Sequence, residues 1–590
     1  MVQRNSVLIT VLLAAIVILV ALMVWIASSP DNAQPLVNGS EAIISGTLTS
    51  RDMGPGITYI LAVHPAGYQK LRELETEVEL YASQHVAAYT TLAAAGPYRI
   101  QVPAPGEYVL YAWRDEDGDG GINHEDYLEP TGWYHTDDYL KPTKVHAALG
   151  RETVGIDITL ISPTPYPREE MSVSRGSGGG TLKNVKGYPV LHLWGSDEER
   201  GYAQGYLVGP QIRDWTEYVL LEFYAESPSL YETVLLPFIR SNFGANDRYV
   251  PVADAMLLGM RDSGAEMRID ALNRNITRDD ILAINSLYTL VLLRDAVYEI
   301  ESGSDGMLCS NAVVWGNLTR NPEISGGLIH GKNMDGENDL RKVTVNTLLI
   351  VATEPEEGSG NMRVVGIDWP GFYGTYNGMN EGGLIMVTHS SDSTTDFSAT
   401  DMLEYSSLYM ESLQCCRTIP ETQAYWESRN MTRTGGWNTA ISVPYRADPN
   451  RIPSVTFESD SYGMAVRKPG DIPPTGIPAI LTTNDFHVYT GADPEAIAAT
   501  DGSWAPVSPT CHRYIAMNET LNRLISSGRS IGTAEMIEVL QSAANGTTEY
   551  SYIGYPDTMS FAVAREDLEN RILDAPYANF TTFSFEEVFQ

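Results

Sequence analysis

One thiol and two charged side chains stand where a short hairpin could bring them together. Cys309 heads the alternating, β-rich run Ser310 to Leu318, and Asp305-Gly306 just before it is a turn signal. Arg320-Asn-Pro-Glu323 then reads as turn chemistry, and a second β-rich run covers Gly327 to His330. The pattern predicts a β-hairpin. Its second arm leads into Lys332 and Asp335, three apart, which a hairpin would return to the neighbourhood of Cys309. A thiolate is a nucleophile, and a neighbouring cation favours that form. The competing reading is a structural cysteine, buried as a small apolar residue.

A second chemical pattern lies upstream, in Asp115-Glu-Asp-Gly-Asp-Gly-Gly-Ile-Asn-His-Glu-Asp126. Asp115, Asp117, Asp119 and Asp126 take carboxylate positions of an EF-hand calcium loop, with glycine at the sixth position. The preceding Glu107 to Trp113 is strand-like rather than helical, so an EF-hand itself is excluded. The expectation is a structural calcium ion in a β-domain turn; the alternative is a solvated acidic turn. No cofactor is expected for catalysis.

These groups must be positioned by a long chain. At 590 residues it has room for two or three domains. A formal net charge of -36 argues against a nucleic-acid partner, which needs a basic face. Val7 to Ala27 is apolar and long enough for one membrane span. Arg4 precedes it and no Lys or Arg follows before Arg51, which predicts a cytoplasmic N-terminus and an extracytoplasmic remainder. Residues 1–30 are thus a membrane anchor, or alternatively a cleaved signal. Seven Asn-x-Ser/Thr sequons, Asn275 among them, fit export but are weak evidence. Residues 40–162 carry short strands and turns and predict a small all-β sandwich. Within them, Glu73 to Tyr89 reads as a helix or an irregular insert. Residues 163–185, Pro-rich and then Gly-rich, predict a linker. Residues 186–590 combine strands and amphipathic helices in runs, an α+β pattern. The remaining cysteines are Cys415, Cys416 and Cys511. Cys511 could pair with either of the adjacent two, or all three could be free; no CxxC zinc pattern occurs.

The hairpin also resembles the start of the catalytic chain in cysteine N-terminal-nucleophile hydrolases. The branch is the autoproteolytic acyltransferase/hydrolase family typified by penicillin acyltransferase, with bile-salt hydrolase and phospholipase B-like proteins as relatives. The motifs stand here as Cys309-Ser310, Gly326-Gly327 and Gly331-Lys-Asn-Met-Asp335. Further on come Gly378-Met-Asn-Glu-Gly-Gly-Leu384, Thr483-Asn484 and Ser508-Pro-Thr-Cys-His-Arg513. The resemblance spans roughly residues 186 to 590 and implies a four-layer αββα sandwich. It implies self-cleavage between Leu308 and Cys309, after which the α-amine, with a pKa of about 8, can shuttle the proton. The two cleaved halves would remain associated. By motif position Lys332, Asp335 and Arg513 would order the site and lower the thiol pKa, and Asn484 would donate to an oxyanion. Two departures stand out. Lys332 occupies a position where relatives often have Arg, and His389 with Ser390 stands where bile-salt hydrolases carry a second asparagine. The implied function is hydrolysis or acyl exchange at a linear amide of a small molecule, on the outer side of a cell membrane. The rival is an inactive hydrolase-like surface binding or structural protein.

Overall fold

The computed structural model describes residues 42–590 apart from 51–55, 66–84, 103–105, 116–129, 135–141, 161–162, 225–227, 270, 299–308, 337–340, 392–395, 430–431, 490–510, 545 and 567–573. The predicted membrane segment Val7 to Ala27 lies outside these residues. Among the described residues no helix is long and apolar enough to cross a membrane. The chain divides into two compact units, parted after residue 162.

The first unit consists of two small sheets. In one, Ala42–Ser50 pairs antiparallel with Gly96–Val102 and parallel with Glu152–Thr153 and Ile158–Leu160. In the other the order is Val86–Leu92, Ile57–Val63, Gly106–Asp115, Thr131–Trp133. Alternation builds the core: Tyr98, Ile100 and Val102 point inward while Arg99 and Gln101 face solvent. They meet Ile44, Ile60 and Leu110 in one apolar cluster. Val86–Leu92 corrects the C-terminal part of the helix or insert expected over Glu73 to Tyr89. Its β-forming Val86, Tyr89, Thr90 and Thr91 pair along Ile57–Val63 instead. Of the expected calcium ligands, Asp115 ends a strand and is buried. Asp117, Asp119 and Asp126 lie outside the described residues. Among the described residues no cluster of three or more metal-ligating side chains occurs.

The second unit is mixed α/β and is built on two sheets. The larger has ten strands, in the order Met171–Arg175, Gly178–Val185, Tyr188–Gly195, Leu349–Pro355, Val364–Asp368, Asn377–Asn380, Ile385–Ser391, Gly436–Ser442, Ser454–Ser459, Met464–Arg467. Its first two strands correct the linker expected over 163–185. The glycines there serve close packing rather than flexibility. A Cβ on Gly180 would meet Leu193, Ala203 and Leu207 within 3.1 Å, because the helix Asp197–Asp214 lies across that strand. The smaller sheet is antiparallel throughout, in the order Ala479–Thr482, Ser310–Val314, Ile329–Asp335, Thr548–Tyr555, Ser560–Arg565, Thr581–Ser584.

The two sheets face each other through polar contacts. Ser442 Oγ lies 2.9 Å from His330 Nδ1, Thr456 Oγ1 lies 2.8 Å from Thr482 Oγ1, and Asn377 donates to the Tyr550 hydroxyl. Helices His512–Ser526 and Thr533–Gln541 cover the outer face of the smaller sheet, where Met517, Leu521, Met536 and Leu540 close over Ala312 and Val314. Helix Tyr405–Cys415 covers the far face of the larger sheet, with Tyr409 bonded to Thr439. Every residue of Ile329–Asp335 is buried, as for a strand covered on both faces.

Candidate active site

The predicted hairpin forms, with Asn311 opposite Lys332 and Val314 opposite Ile329. Its first arm is shorter than expected, Ser310–Val314, because Gly316–Leu318 turns as a 3-10 helix. The second arm extends to Asp335, so Lys332 and Asp335 lie within the strand and not beyond it. Gly331 lets the helix Thr533–Gln541 approach this strand: a Cβ there would lie 2.6 Å from Met536 Sδ.

Alternation along both arms sends chemistry to the inner face. Cys309 is buried, with Sγ 3.6 Å from Met334 Sδ. Lys332 is fully buried; its ammonium donates to the Thr388 carbonyl on the facing sheet and lies within hydrogen-bonding reach of the Cys309 thiol. Burial lowers the Lys332 pKa, while Cys309 and Asp335 act against that fall.

Arg513 ties the remaining groups together. It sits in the first turn of helix His512–Ser526, where a cation opposes the helix dipole, so its partners must hold it there. Nη1 donates to the Cys309 carbonyl at 2.7 Å and lies 3.6 Å from Asp335 Oδ2. Nη2 donates to Asn484 Oδ1 at 2.9 Å. Asp335 Oδ1 accepts from Thr548 Oγ1 at 2.6 Å. The structure thus brings Cys309, Lys332, Asp335, Asn484 and Arg513, separated by about two hundred residues of chain, into one buried network.

Asn484 departs from its expected role in one respect. Its amide nitrogen donates to Ser390 O at 2.7 Å and to Ser390 Oγ at 3.2 Å. Donation to a substrate oxyanion would require exchange of one of these bonds. Asn438, donating to the carbonyls of Thr483 and Asp485 at 2.9 Å each, holds the loop that carries Asn484.

Sequence reasoning missed several of these partners. Thr548 and Tyr550 come from a strand not predicted, although Thr548, Tyr550 and Tyr552 alternate in the β-forming manner. Thr388 and Ser390 act mainly through backbone carbonyls, which carry no side-chain signature. His389, between them, is buried and neutral: burial first, and Lys332 second, push its pKa well below the usual imidazole range. Its Nδ1 donates to the Asn438 carbonyl at 3.0 Å.

Burial pushes the Asp335 carboxyl up to about 6, against the opposing pull of the Thr548 hydroxyl, Arg513 and Lys332. Its raised pKa means that the fold holds the neutral acid more readily than the unfolded chain does. The resulting stability is present below about pH 4 and is lost as pH rises through about 6. Activity should run the other way, since two buried cations need the ionised form to keep their positions. The kcat/KM profile is expected to show an acid limb near pH 6, and Asp335→Asn should lower the plateau and remove that limb. An unchanged limb in the variant would assign it to another group.

No protein-family model matches the chain, and no curated protein matches it. Solved structures do. A Caenorhabditis elegans orthologue of N-acylethanolamine-hydrolyzing acid amidase is 15% identical, over 46% of this chain and 99% of that one, at a TM-score of 0.30. A conjugated bile acid hydrolase from Clostridium perfringens is 11% identical, over 47% and 96%, at 0.25. Penicillin V acylase from Agrobacterium tumefaciens is 13% identical, over 47% and 87%, at 0.29. At this distance the functional reading rests on the site's own geometry.

Proposed function

We propose that the chain is a self-processing cysteine amidohydrolase or acyltransferase of the N-terminal-nucleophile type, acting on a linear amide through an acyl-enzyme on Cys309. The observation that carries this reading is the single network joining Cys309 to Lys332, Asp335, Arg513 and Asn484. A merely structural cysteine has no use for a buried ammonium beside its sulfur and a buried guanidinium on its carbonyl. Each such charge costs several kcal/mol to desolvate, and function is the usual return on that expense.

Within this reading Cys309 Sγ attacks the amide carbonyl, and Lys332 stabilises the thiolate before attack. Arg513 fixes the Cys309 backbone, Asp335 balances the two cations, and Asn484 donates to the oxyanion once it releases a bond to Ser390. The α-amine freed by self-cleavage takes the thiol proton and passes it to the departing amine, and water or a second amine opens the thioester. Treating the full-length protein with an acyl-type electrophile should add one acyl group, located on Cys309 by peptide mapping, and abolish amide cleavage in proportion. No label on Cys309 together with no amide cleavage would favour the inactive, binding-protein reading, and labelling elsewhere with cleavage unchanged would remove Cys309 from the mechanism. The proposed setting is the outer side of a membrane, tethered by Val7 to Ala27. Full-length protein should then sediment with membranes, and a chain lacking residues 1–30 should not; equal solubility of both would sink the tether.

A further inference from the structure

The adjacent cysteines Cys415 and Cys416 lie outside the site described above and have no part in its chemistry. They end the helix Tyr405–Cys415, on the far side of the ten-stranded sheet from Cys309. Cys511 begins the helix His512–Ser526 on the opposite outer layer, so it is not the partner of either. The two neighbours instead face each other, with Sγ atoms 3.2 Å apart, Cys415 exposed and Cys416 buried. We propose that Cys415 and Cys416 form a reversible redox modification site, closing to a vicinal disulfide by exchange with a small-molecule disulfide.

The geometry suits a two-step exchange. The exposed Cys415 thiolate attacks one sulfur of the small disulfide, forming a mixed disulfide and releasing one thiolate. Cys416 loses its proton and attacks Cys415 Sγ, releasing the second. Two protein thiols are oxidised by two electrons, and the small disulfide is reduced to two thiols. The proximity of Cys416 holds the Cys415 thiol pKa below its usual value, which favours it as the attacking sulfur. Buried Cys416 is shielded from the reagent but lies beside Cys415, which makes it the resolving sulfur. The product is strained. Consecutive Cα atoms are about 3.8 Å apart, below the usual disulfide range. Strained bridges are the readily reduced ones, so this pair fits a labile modification rather than a structural staple.

The site is wired to the catalytic face by one side chain. Asn380 Nδ2 donates to Leu413 O at 2.7 Å and to Cys416 O at 2.8 Å. Asn380 Oδ1 accepts from Gly382 N and Leu384 N, each at 3.0 Å. That turn opens into Ile385–Ser391, the strand whose carbonyls hold Lys332 and Asn484. Strain in the closed bridge bears on the backbone that carries the Cys416 carbonyl, and Asn380 links that carbonyl to this strand. The effect on catalysis rests on the function proposed above; the oxidation itself does not.

The test uses the native, full-length protein with oxidised glutathione. Thiol titration in denaturant should fall from four to two, with no glutathione retained and a mass loss of two hydrogens mapping to the peptide holding Cys415 and Cys416. Dithiothreitol should restore all four thiols. Cys415→Ser should keep its three thiols under the same treatment. Four thiols remaining in the oxidised wild-type protein, or a glutathione adduct that persists on Cys415, would overturn the proposal. So would an equal loss of thiols in Cys415→Ser.

Discussion

Purified protein should run on denaturing gels as two bands of similar size, residues 1–308 and 309–590, and the smaller should begin Cys-Ser-Asn-Ala. A cysteine in mid-chain has no free α-amine, so an N-terminal mechanism requires cleavage at Leu308–Cys309. The Cys309 thiol would attack the Leu308 carbonyl, the peptide nitrogen would leave as an amine, and water would open the thioester. The Cys309 carbonyl is already clamped by Arg513, which fixes the residue that carries the attacking thiol. Asp305-Gly306 upstream supplies a residue that tolerates unusual backbone angles. The halves have reason to stay together. Tyr188–Gly195, before the cut, pairs over six residues with Leu349–Pro355, after it. Cys309→Ala should give a single band and lower amide cleavage by about 10^6-fold, the scale for loss of a nucleophile. Wild-type protein that stays intact while cleaving amides would refute the N-terminal mechanism. The base would then have to be found elsewhere, and Lys332 is the candidate, because burial already lowers its pKa.

Arg513→Met is expected to be the most damaging change outside the nucleophile. The side chain is 3% exposed and serves Cys309, Asp335 and Asn484 at once. Its removal leaves a buried carboxylate with Lys332 as the remaining nearby cation, and takes one donor each from the Cys309 carbonyl and the Asn484 amide oxygen. Breaking one partner of a buried pair costs about 3–5 kcal/mol. Activity should fall by about 10^2-fold or more, because a displacement of an ångström at the reacting atoms suffices for that. Arg513→Lys should recover part of the stability and little of the rate, since an ammonium lacks the planar fork that reaches two sides. The double variant Arg513→Met, Asp335→Asn separates the two effects. It should regain stability, having no uncompensated carboxylate, and should remain slow. Thermal melts and kcat/KM measured on the same four proteins decide this. Recovery of both together would reduce Arg513 to a structural ion pair.

Part of this site was legible because it is local. Cys309, the turn at Arg320 to Glu323, and Lys332 with Asp335 lie within one hairpin, and hairpin register follows from nearby sequence. The Gly331 requirement was also visible as a motif glycine, although only the packed helix shows that Met536 is what it accommodates. The first unit's strands were legible where alternation is clean, as in Tyr98, Ile100 and Val102. Local reasoning failed where long-range packing reassigns a residue's meaning. The Gly178-Gly-Gly180 run reads as flexible by composition, yet it opens the second strand of a ten-stranded sheet, where a helix crosses close to Gly178 and Gly180. Val86–Leu92 became a strand because Ile57–Val63 offered an edge to pair with. The residues that complete the site, Thr388, Ser390 and Thr548, come from strands remote in sequence, two of them through backbone carbonyls that any residue type possesses. The sequence by itself determined which thiol is the candidate nucleophile, which charged residues neighbour it and their order along the chain. The tertiary structure alone decided that Arg513 bonds the Cys309 carbonyl, that the Asn484 amide is held by Ser390, and that burial lifts Asp335 to about 6. Bond partners and desolvation are properties of the enclosed space between two sheets, and that space exists only once both have closed over it.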